Sequence, residues 1–403
     1  MLGLSSVAAP ARRVDLAVVV GVVVVAMSAC VYWLCNRFFD AGRGDFFYLA
    51  DAFLHGRTWL DFRPGPNDVI VSGDRFYVPF APFPAIALMP VVAVLGAMTA
   101  DQVESGINAV LAAAGVGLCW VLLARIGVER LRDRLALTVL FGFSTQILWI
   151  TTRGGVWHTG QLIATILTLL CLIEIWGSQR AWLIGLLAGA AFLTRAPLAF
   201  AIPFYAFLLD PPSSMRRTLP WRSWAWLGLG VLPSLVFFFL YNQVRFGSPL
   251  ESGYALATLP AWLEAQRQQG LFSLTHVSMN LDYLFVHLPT PIPDFPFFRP
   301  DGLGMSVLIT SPGLLYAVRA DWRERRAWWL LGAAVAVLVP TLLYYGGGWL
   351  QYGDRYFLDS IPFVIALCGM AAARRGRIGR GWIALVAFGT VVMFAGVYWA
   401  YHL

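Results

Sequence analysis

Four side chains in this sequence have types and surroundings suited to chemistry beside a membrane. Asp45 stands in Gly44-Asp45-Phe46-Phe47-Tyr48-Leu49-Ala50-Asp51-Ala52-Phe53-Leu54-His55-Gly56. Phe46, Leu49 and Phe53 share one helical face, and glycines bracket the run, so Asp45 falls at or near a helix N-terminus. A carboxylate there either caps the helix by accepting a backbone N–H or, beside a membrane surface, takes a proton from an acceptor hydroxyl. Arg195 closes an apolar run in Leu193-Thr194-Arg195-Ala196-Pro197. Arginine at membrane depth is costly; it either snorkels to the headgroups or offers a fork of donors to a phosphate. Arg355, in Gly353-Asp354-Arg355-Tyr356, pairs locally with Asp354 or supplies a second phosphate contact. His158 stands in the short stretch from Thr151 to Thr159 and serves either as a structural imidazole or as a contact to phosphate or acceptor.

The elements that position these groups follow from composition. The chain is 59% hydrophobic and only 13% charged, which excludes a soluble globular protein. Apolar runs such as 14–35, 224–241 and 381–400 approach the roughly 20 residues a helix needs to cross hydrocarbon. The first follows Arg12 and Arg13 without a clear small-x-small cleavage site, and reads as an uncleaved span. Further arginine clusters at 125–134, 216–222, 319–326 and 374–380 alternate with the apolar runs and mark cytoplasmic loops. Crossings are expected near 14–35, 106–124, 135–150, 160–176, 182–194, 196–209, 224–241, 306–318, 327–345, 356–373 and 381–400. That makes about eleven spans, with a cytoplasmic N-terminus and the C-terminus outside. Residues 81–99 are apolar too, but a crossing there would carry the Arg125 to Arg134 cluster outside. They are expected to lie on, or dip into, the outer leaflet.

The fold class expected is therefore an all-α membrane protein, one polytopic domain over residues 1–403. Its long extracytoplasmic loops are 36–105, with short surface helices, and 242–305, and ordered-looking long loops are where function usually resides. The net charge of +7 is distributed as membrane anchors, not as a nucleic-acid footprint. All basic residues are arginine, in keeping with a GC-rich bacterial genome and a bacterial plasma (inner) membrane. The five cysteines lie in or at the ends of apolar runs and read as packing residues. No Walker or Rossmann glycine pattern is present, and the outer acids lack the spacing of a metal site. Asp40 and Asp45 stand five apart, so no cofactor is implied; a divalent metal has no support from spacing.

Five stretches in order resemble the GT-C superfamily of membrane glycosyltransferases, especially the glycosyltransferase 39 family of protein O-mannosyltransferases and aminoarabinose transferases. They run from Gly44 to Gly56, from Phe76 to Pro84 (Phe-Tyr-Val-Pro-Phe-Ala-Pro-Phe-Pro), from Leu193 to Pro197, from Tyr241 to Tyr254, and from Gly348 to Tyr356. The chain departs from the family where many members carry two adjacent acids, having Asp45-Phe46, and where they carry a lysine before the paired prolines, having Phe80-Ala81-Pro82. The resemblance implies a GT-C-like bundle and a sugar donor on polyprenyl phosphate. It also implies a lipid, glycan or protein acceptor at the extracytoplasmic face, and an inverting displacement with Asp45 as base. Arg195 and Arg355 are then the leaving-group clamp, and Tyr48, Tyr77, His158 and Tyr254 line the site. A secondary transporter or a carrier-binding membrane protein is the alternative. It would show internal repeats or mid-span charges, whereas no halves repeat and the ionisable residues collect at the outer span ends.

Overall fold

Six helices are long and apolar enough to cross a bilayer in the computed structural model, which describes residues 16–36, 43–209 and 221–402. Arg12, Arg13, Asp40, Arg216 and Arg217 lie outside the described residues. The chain runs α1 (Leu16–Leu34), α2 (Asp45–Leu54), a hairpin of β1 (Ile70–Ser72) and β2 (Arg75–Tyr77), α3 (Phe83–Leu95), α4 (Ala97–Gln102) and α5 (Glu104–Ile126). Next come α6 (Leu131–Phe143), α7 (Ile147–Ile150), α8 (Val156–Ile175), α9 (Ala181–Phe192), a 3₁₀ turn (Ala196–Ala201) leading into α10 (Ile202–Leu208), and α11 (Trp221–Phe246). The remainder is α12 (Ala261–Arg267), α13 (Val277–Leu281), a small hairpin of β3 (Thr290–Pro291) and β4 (Phe298–Arg299), α14 (Val307–Thr310), α15 (Arg325–Leu343), α16 (Ile361–Arg375) and α17 (Arg380–His402).

The six long helices are α1, α5, α8, α11, α15 and α17. The crossings expected at 135–150, 182–194, 196–209, 306–318 and 356–373 are instead shorter or broken pieces. At 12 residues, α9 reaches roughly 18 Å, short of the ~30 Å hydrocarbon core. Prolines at 197, 203, 312 and 362 sit in the first turns of the affected segments, where they are tolerated but keep the residue before them from continuing as helix. Protein neighbours tolerate such breaks where lipid would not. α8 and α16, buried along most of their length, form the centre of the apolar core.

One close approach decides how α9 seats. A Cβ on Gly185 would strike the Leu227 carbonyl, and one on Gly230 the Trp182 carbonyl. Only glycine at both positions lets α9 and α11 touch backbone to backbone.

Hydrogen bonds gather the connections at one end of the bundle. Asn36 Nδ2, after α1, donates to the carbonyls of Ser105 and Thr151, both at 2.7 Å, and Tyr401 of α17 donates to the Asn36 carbonyl at 2.9 Å. Both ends of α3 belong to this same end: the Phe83 amide bonds the Leu193 carbonyl, and the chain returns through α4 to place Asp101 against Tyr48. The 81–99 segment thus starts and finishes on the Asp45 side. The five cysteines are all free thiols, three of them buried.

Candidate active site

Asp45 is the first residue of α2, and Gly44 holds the N-cap position without a side-chain cap. The capping role open to Asp45 in the sequence is not the one it plays. Its Oδ2 instead accepts from Arg43 Nη2 at 2.8 Å, and the residue is 1% exposed. Arg43 also donates to the Asn67 carbonyl at 2.6 Å and lies 3.5 Å from Asp68 Oδ2. Burial pushes the Asp45 carboxyl up to about 7; Arg43 pulls it down, and Asp68 and Asp101 push it further up. Burial is the largest of these effects and outweighs the guanidinium, with the two further carboxylates adding to it.

Glycine at position 44 is required by a neighbour, since a Cβ there would collide with the Asp101 carboxylate. Tyr48 donates to that carboxylate at 2.9 Å. Burial, with Asp101 adding to it, holds the Tyr48 phenol up at about 12, so it stays a donor. Glu104, wholly buried at the start of α5, accepts from the Gly155 amide at 2.5 Å and shares a hydrogen bond with Thr159 Oγ1 at 2.6 Å. Those bonds fix the turn into α8 and therefore the directions of Trp157 and His158.

Trp157 is the hinge of the arrangement. Its ring lies 5.7 Å from the Arg43 guanidinium carbon and 5.8 Å from that of Arg355. The Tyr356 ring in turn lies 5.5 Å from Arg355 and 5.3 Å from Arg195. Cations and rings alternate from Asp45 to Asp359, each ring face attracting the charge above it. The two ends are neutralised: Arg43 by Asp45 and Asp68, Arg195 by Asp359, whose Oδ2 accepts from Nε at 2.6 Å. Arg195 therefore does not snorkel. Arg355, in the middle, is 6% exposed, and among the described residues it has no carboxylate within ion-pair distance and no partner for Nε. Asp354 does not pair with it; that carboxylate caps the next turn, accepting from the Tyr356 amide at 2.9 Å.

The remaining expected residues surround this line. His158, 6% exposed, lies in the field of Arg355 and Arg153. Tyr254 sits near Arg195, Tyr356 and Arg245, its phenol pushed up to about 12 by burial. Tyr77 packs on Phe246 at 5.6 Å, and Arg245 bonds the Val78 carbonyl and Asn242 while lying 3.9 Å over the Tyr241 ring. Beyond Tyr241 opens an apolar cavity of ≈ 470 Å³ between α2, α3 and α11, walled by Phe53, Ile86, Met89, Phe237 and Leu240. Tyr48 alone faces away from the arginines, toward Asp101.

Sequence reading did not single out Arg43, Asp68, Asp101, Trp157, Tyr356 or Asp359. Arg43 carried a signal, two positions before the one carboxylate already under suspicion. Asp68 and Asp359 carried none, because their partners are distant in sequence. Among the described residues no three His, Cys, Asp or Glu side chains come together as a metal site.

No family model matches the chain, and no curated protein matches it. Among solved structures it is similar to the oligosaccharyltransferase of Archaeoglobus fulgidus in its apo form, at 14% identity and a TM-score of 0.45, over 95% of this chain and 55% of that one. It is likewise similar to oligosaccharyltransferase AglB of the same archaeon in complex with an inhibitory peptide and a dolichol-phosphate, at 13% identity and a TM-score of 0.45, over 94% and 54%. The chain spans about half the length of these structures. Its six apolar helices make it a mostly helical, multi-pass membrane protein.

Proposed function

We propose that this protein transfers a sugar from a polyprenyl-phosphate carrier to an acceptor hydroxyl at the extracytoplasmic face. The observation that carries the reading is Arg355: a buried guanidinium without a carboxylate, one indole away from a buried carboxylate whose own pKa is near 7. A buried charge without a counter-ion is costly, and a phosphate monoester or diester supplies the missing charge with bidentate geometry.

In the reaction the acceptor oxygen attacks the anomeric carbon, and the bond from that carbon to the phosphate oxygen breaks with its electrons. The hydroxyl proton passes to the Asp45 carboxylate, and the departing lipid phosphate keeps its negative charge against Arg355. Arg195, tied to Asp359, orients Tyr356 and through it Arg355. One displacement inverts the anomeric configuration. The carboxylate is suited to the task because a base works best with a pKa near the working pH, and the apolar cavity beside Tyr241 has the size and lining for isoprenoid carbon.

The test uses purified protein in detergent with radiolabelled polyprenyl-phosphate hexose or pentose and a membrane extract as acceptor source. Wild type releases polyprenyl phosphate and labels an acceptor, and Arg355→Ala does neither at a comparable rate. Release that is equal in the two proteins, or absent from wild type while a solute is taken up by vesicles carrying it, overturns the reading.

A further inference from the structure

Trp157 and His158 are carried between two bonds to a single buried carboxyl. Glu104, the first residue of α5, accepts from the Gly155 amide with Oε2 at 2.5 Å, and its Oε1 lies 2.6 Å from Thr159 Oγ1. Glu104, Asn108 and Thr159 are all fully shielded from solvent. We infer that Glu104 is a positioning residue that works as a neutral, protonated carboxyl, its proton locking the turn that sets Trp157 between Arg43 and Arg355. The effect on turnover rests on the transferase reading, whereas the proton itself is observable without it.

The proton follows from counting hydrogens. Thr159 Oγ1 stands 2.6 Å from Glu104 Oε1 and 2.9 Å from Asn108 Oδ1, and a hydroxyl has one hydrogen to donate. The Asn108 amide cannot simply be turned over. Its Nδ2 donates to the Arg153 carbonyl at 3.3 Å, and exchanging the two ends would set acceptor against acceptor there. With an ionised Glu104, one of the two contacts of Thr159 therefore joins two acceptors with no hydrogen between them, a costly arrangement among atoms shielded from water. A proton on Oε1 resolves it. Glu104 then donates to Thr159, Thr159 to Asn108 and Asn108 to Arg153, while Oε2 accepts from Gly155. The bond between Glu104 and Thr159 runs from carboxyl to hydroxyl, the reverse of what an ionised carboxylate allows.

The turn is shaped to bring the carboxyl this close. A Cβ on Gly154 would stand 2.9 Å from Oε2, and Gly155 has a φ of +134°, a conformation that side chains rarely adopt. Trp157 and His158 lie between the two anchored positions, so slack at either bond moves the indole that stands 5.7 Å from the Arg43 guanidinium carbon and 5.8 Å from that of Arg355. Among the described residues, Asp101 on α4 and Asp45 on α2 face Glu104 with carboxylates of their own, and an ionised Glu104 would add a third negative charge to theirs. The end of α1 contributes the neutral Asn36, which bonds the Ser105 carbonyl at 2.7 Å. Arg153, beside the anchored turn, reaches the Ala400 carbonyl of α17 at 3.1 Å.

Infrared difference spectroscopy on the full chain in detergent tests the proton directly. Wild type minus Glu104→Gln at neutral pH is expected to show the C=O band of a protonated carboxylic acid, shifting in deuterium oxide; a pair of carboxylate bands in its place overturns the inference. Glutamine fits the same hydrogen count, donating to Thr159 from Nε2 and accepting from Gly155 at Oε1, so Glu104→Gln should melt with wild type. A melt far below wild type overturns the inference as well. Positioning is read by release of polyprenyl phosphate from the radiolabelled donor: Glu104→Ala should be slower by about tenfold or more, since small misplacements of reacting groups are costly, and Glu104→Gln should restore most of the rate. Where alanine compromises folding, Thr159→Val removes the middle of the hydrogen-bond chain and Thr159→Ser restores it, with the same expected pattern. Release by Glu104→Ala equal to wild type, or by Glu104→Gln as slow as Glu104→Ala, overturns the role. Absence of release from wild type overturns the transferase reading instead, and the infrared band and the melt then still decide the protonated carboxyl.

Discussion

Arginines at the two ends of this bundle differ in burial, with Arg134 of α6, 8% exposed over the Trp120 ring, the exception at its end. At the end carrying Arg125, Arg180, Arg325 and Arg374, two exposed guanidiniums each meet one more sheltered carboxylate: Arg374 is 48% exposed beside Asp321 at 3.0 Å, and Arg180 is 53% exposed beside Glu174 at 2.8 Å. Such pairs hold a helix end at an interface and contribute little individually. At the Asp45 end, Arg195, Arg245 and Arg355 are largely withdrawn from solvent and lie over aromatic rings. The same residue type anchors at one end and, in our reading, binds at the other. Charge counting treats the two alike, and only the packing around each guanidinium tells them apart.

The sharpest way to break the comparison is Asp45→Asn. General-base catalysis supplies about 10² to 10⁴ in rate, so sugar transfer should fall by that factor while polyprenyl phosphate binding stays. Asp45 is not a helix cap, and no cap is lost with it. Near-wild-type transfer by purified Asp45→Asn would remove the catalytic assignment, leaving Asp101 and Asp68 as the next carboxylates to test.

Acidity gives a second handle on the same group. Asp45 must be ionised to accept a proton, so activity should fall about tenfold per pH unit below its pKa of about 7. Stability from this group runs the opposite way. Its folded pKa is raised above the ordinary 3.8, so its contribution is complete below 3.8 and is lost as pH rises through about 7. Asp45→Asn should abolish both trends. An activity profile flat from pH 5 to 8 in wild type would mean that another group takes the proton.

Arg195 and Arg355 should then part company. Arg195→Ala leaves Asp359 buried, fully shielded and unpaired, and breaking such a pair costs about 3–5 kcal/mol of stability; a thermal melt should show it, and Asp359→Asn should restore part of it. Arg355→Ala removes a charge that has no carboxylate within ion-pair distance, only Asp68 in its field, so the melt should shift far less than in Arg195→Ala. Donor affinity should instead drop by about 1.5–3 kcal/mol, the range for hydrogen bonds to charged groups, with lysine rescuing only in part because it offers a point charge in place of a fork. Equal loss of stability in both variants would erase the distinction.

Much of this organisation was legible in the sequence, for a physical reason. Lipid forces long apolar runs and arginine-marked ends, so α1, α5, α8, α11, α15 and α17 declare themselves by composition alone. The segments around α9, α10, α14 and α16 do not show as broken pieces, because their proline turns are satisfied by neighbouring protein and leave no mark in hydropathy. In the site, Asp45, Arg195, Arg355 and His158 stood out because a charge or an imidazole beside apolar sequence is conspicuous. Trp157 and Tyr356, which join them, did not, since the chain is 15% aromatic and nothing local distinguishes a bridging ring from a packing one. Asp359 needed the third dimension: its arginine is 164 positions away.

The smallest effect concerns the other end of the bundle and tests the comparison from its quiet side. Arg374 sits in the last turn of α16, where a positive charge is favourable to the helix dipole, and its contact with Asp321 leaves half of the side chain in the open. Arg374→Gln should therefore change stability by about 1 kcal/mol or less and leave both transfer rate and donor affinity within the error of measurement. Its neighbours Arg375, Arg377 and Arg380 continue to mark the same loop, so orientation should also survive, as read by labelling a cysteine placed at Gly379. Orientation of a chain depends on the summed arginine bias of its loops rather than on one member. A large loss of transfer in Arg374→Gln would mean that the two ends are coupled through α16, whose first turn follows the Arg355 to Asp359 segment, and the division between anchoring and binding arginines would then fail.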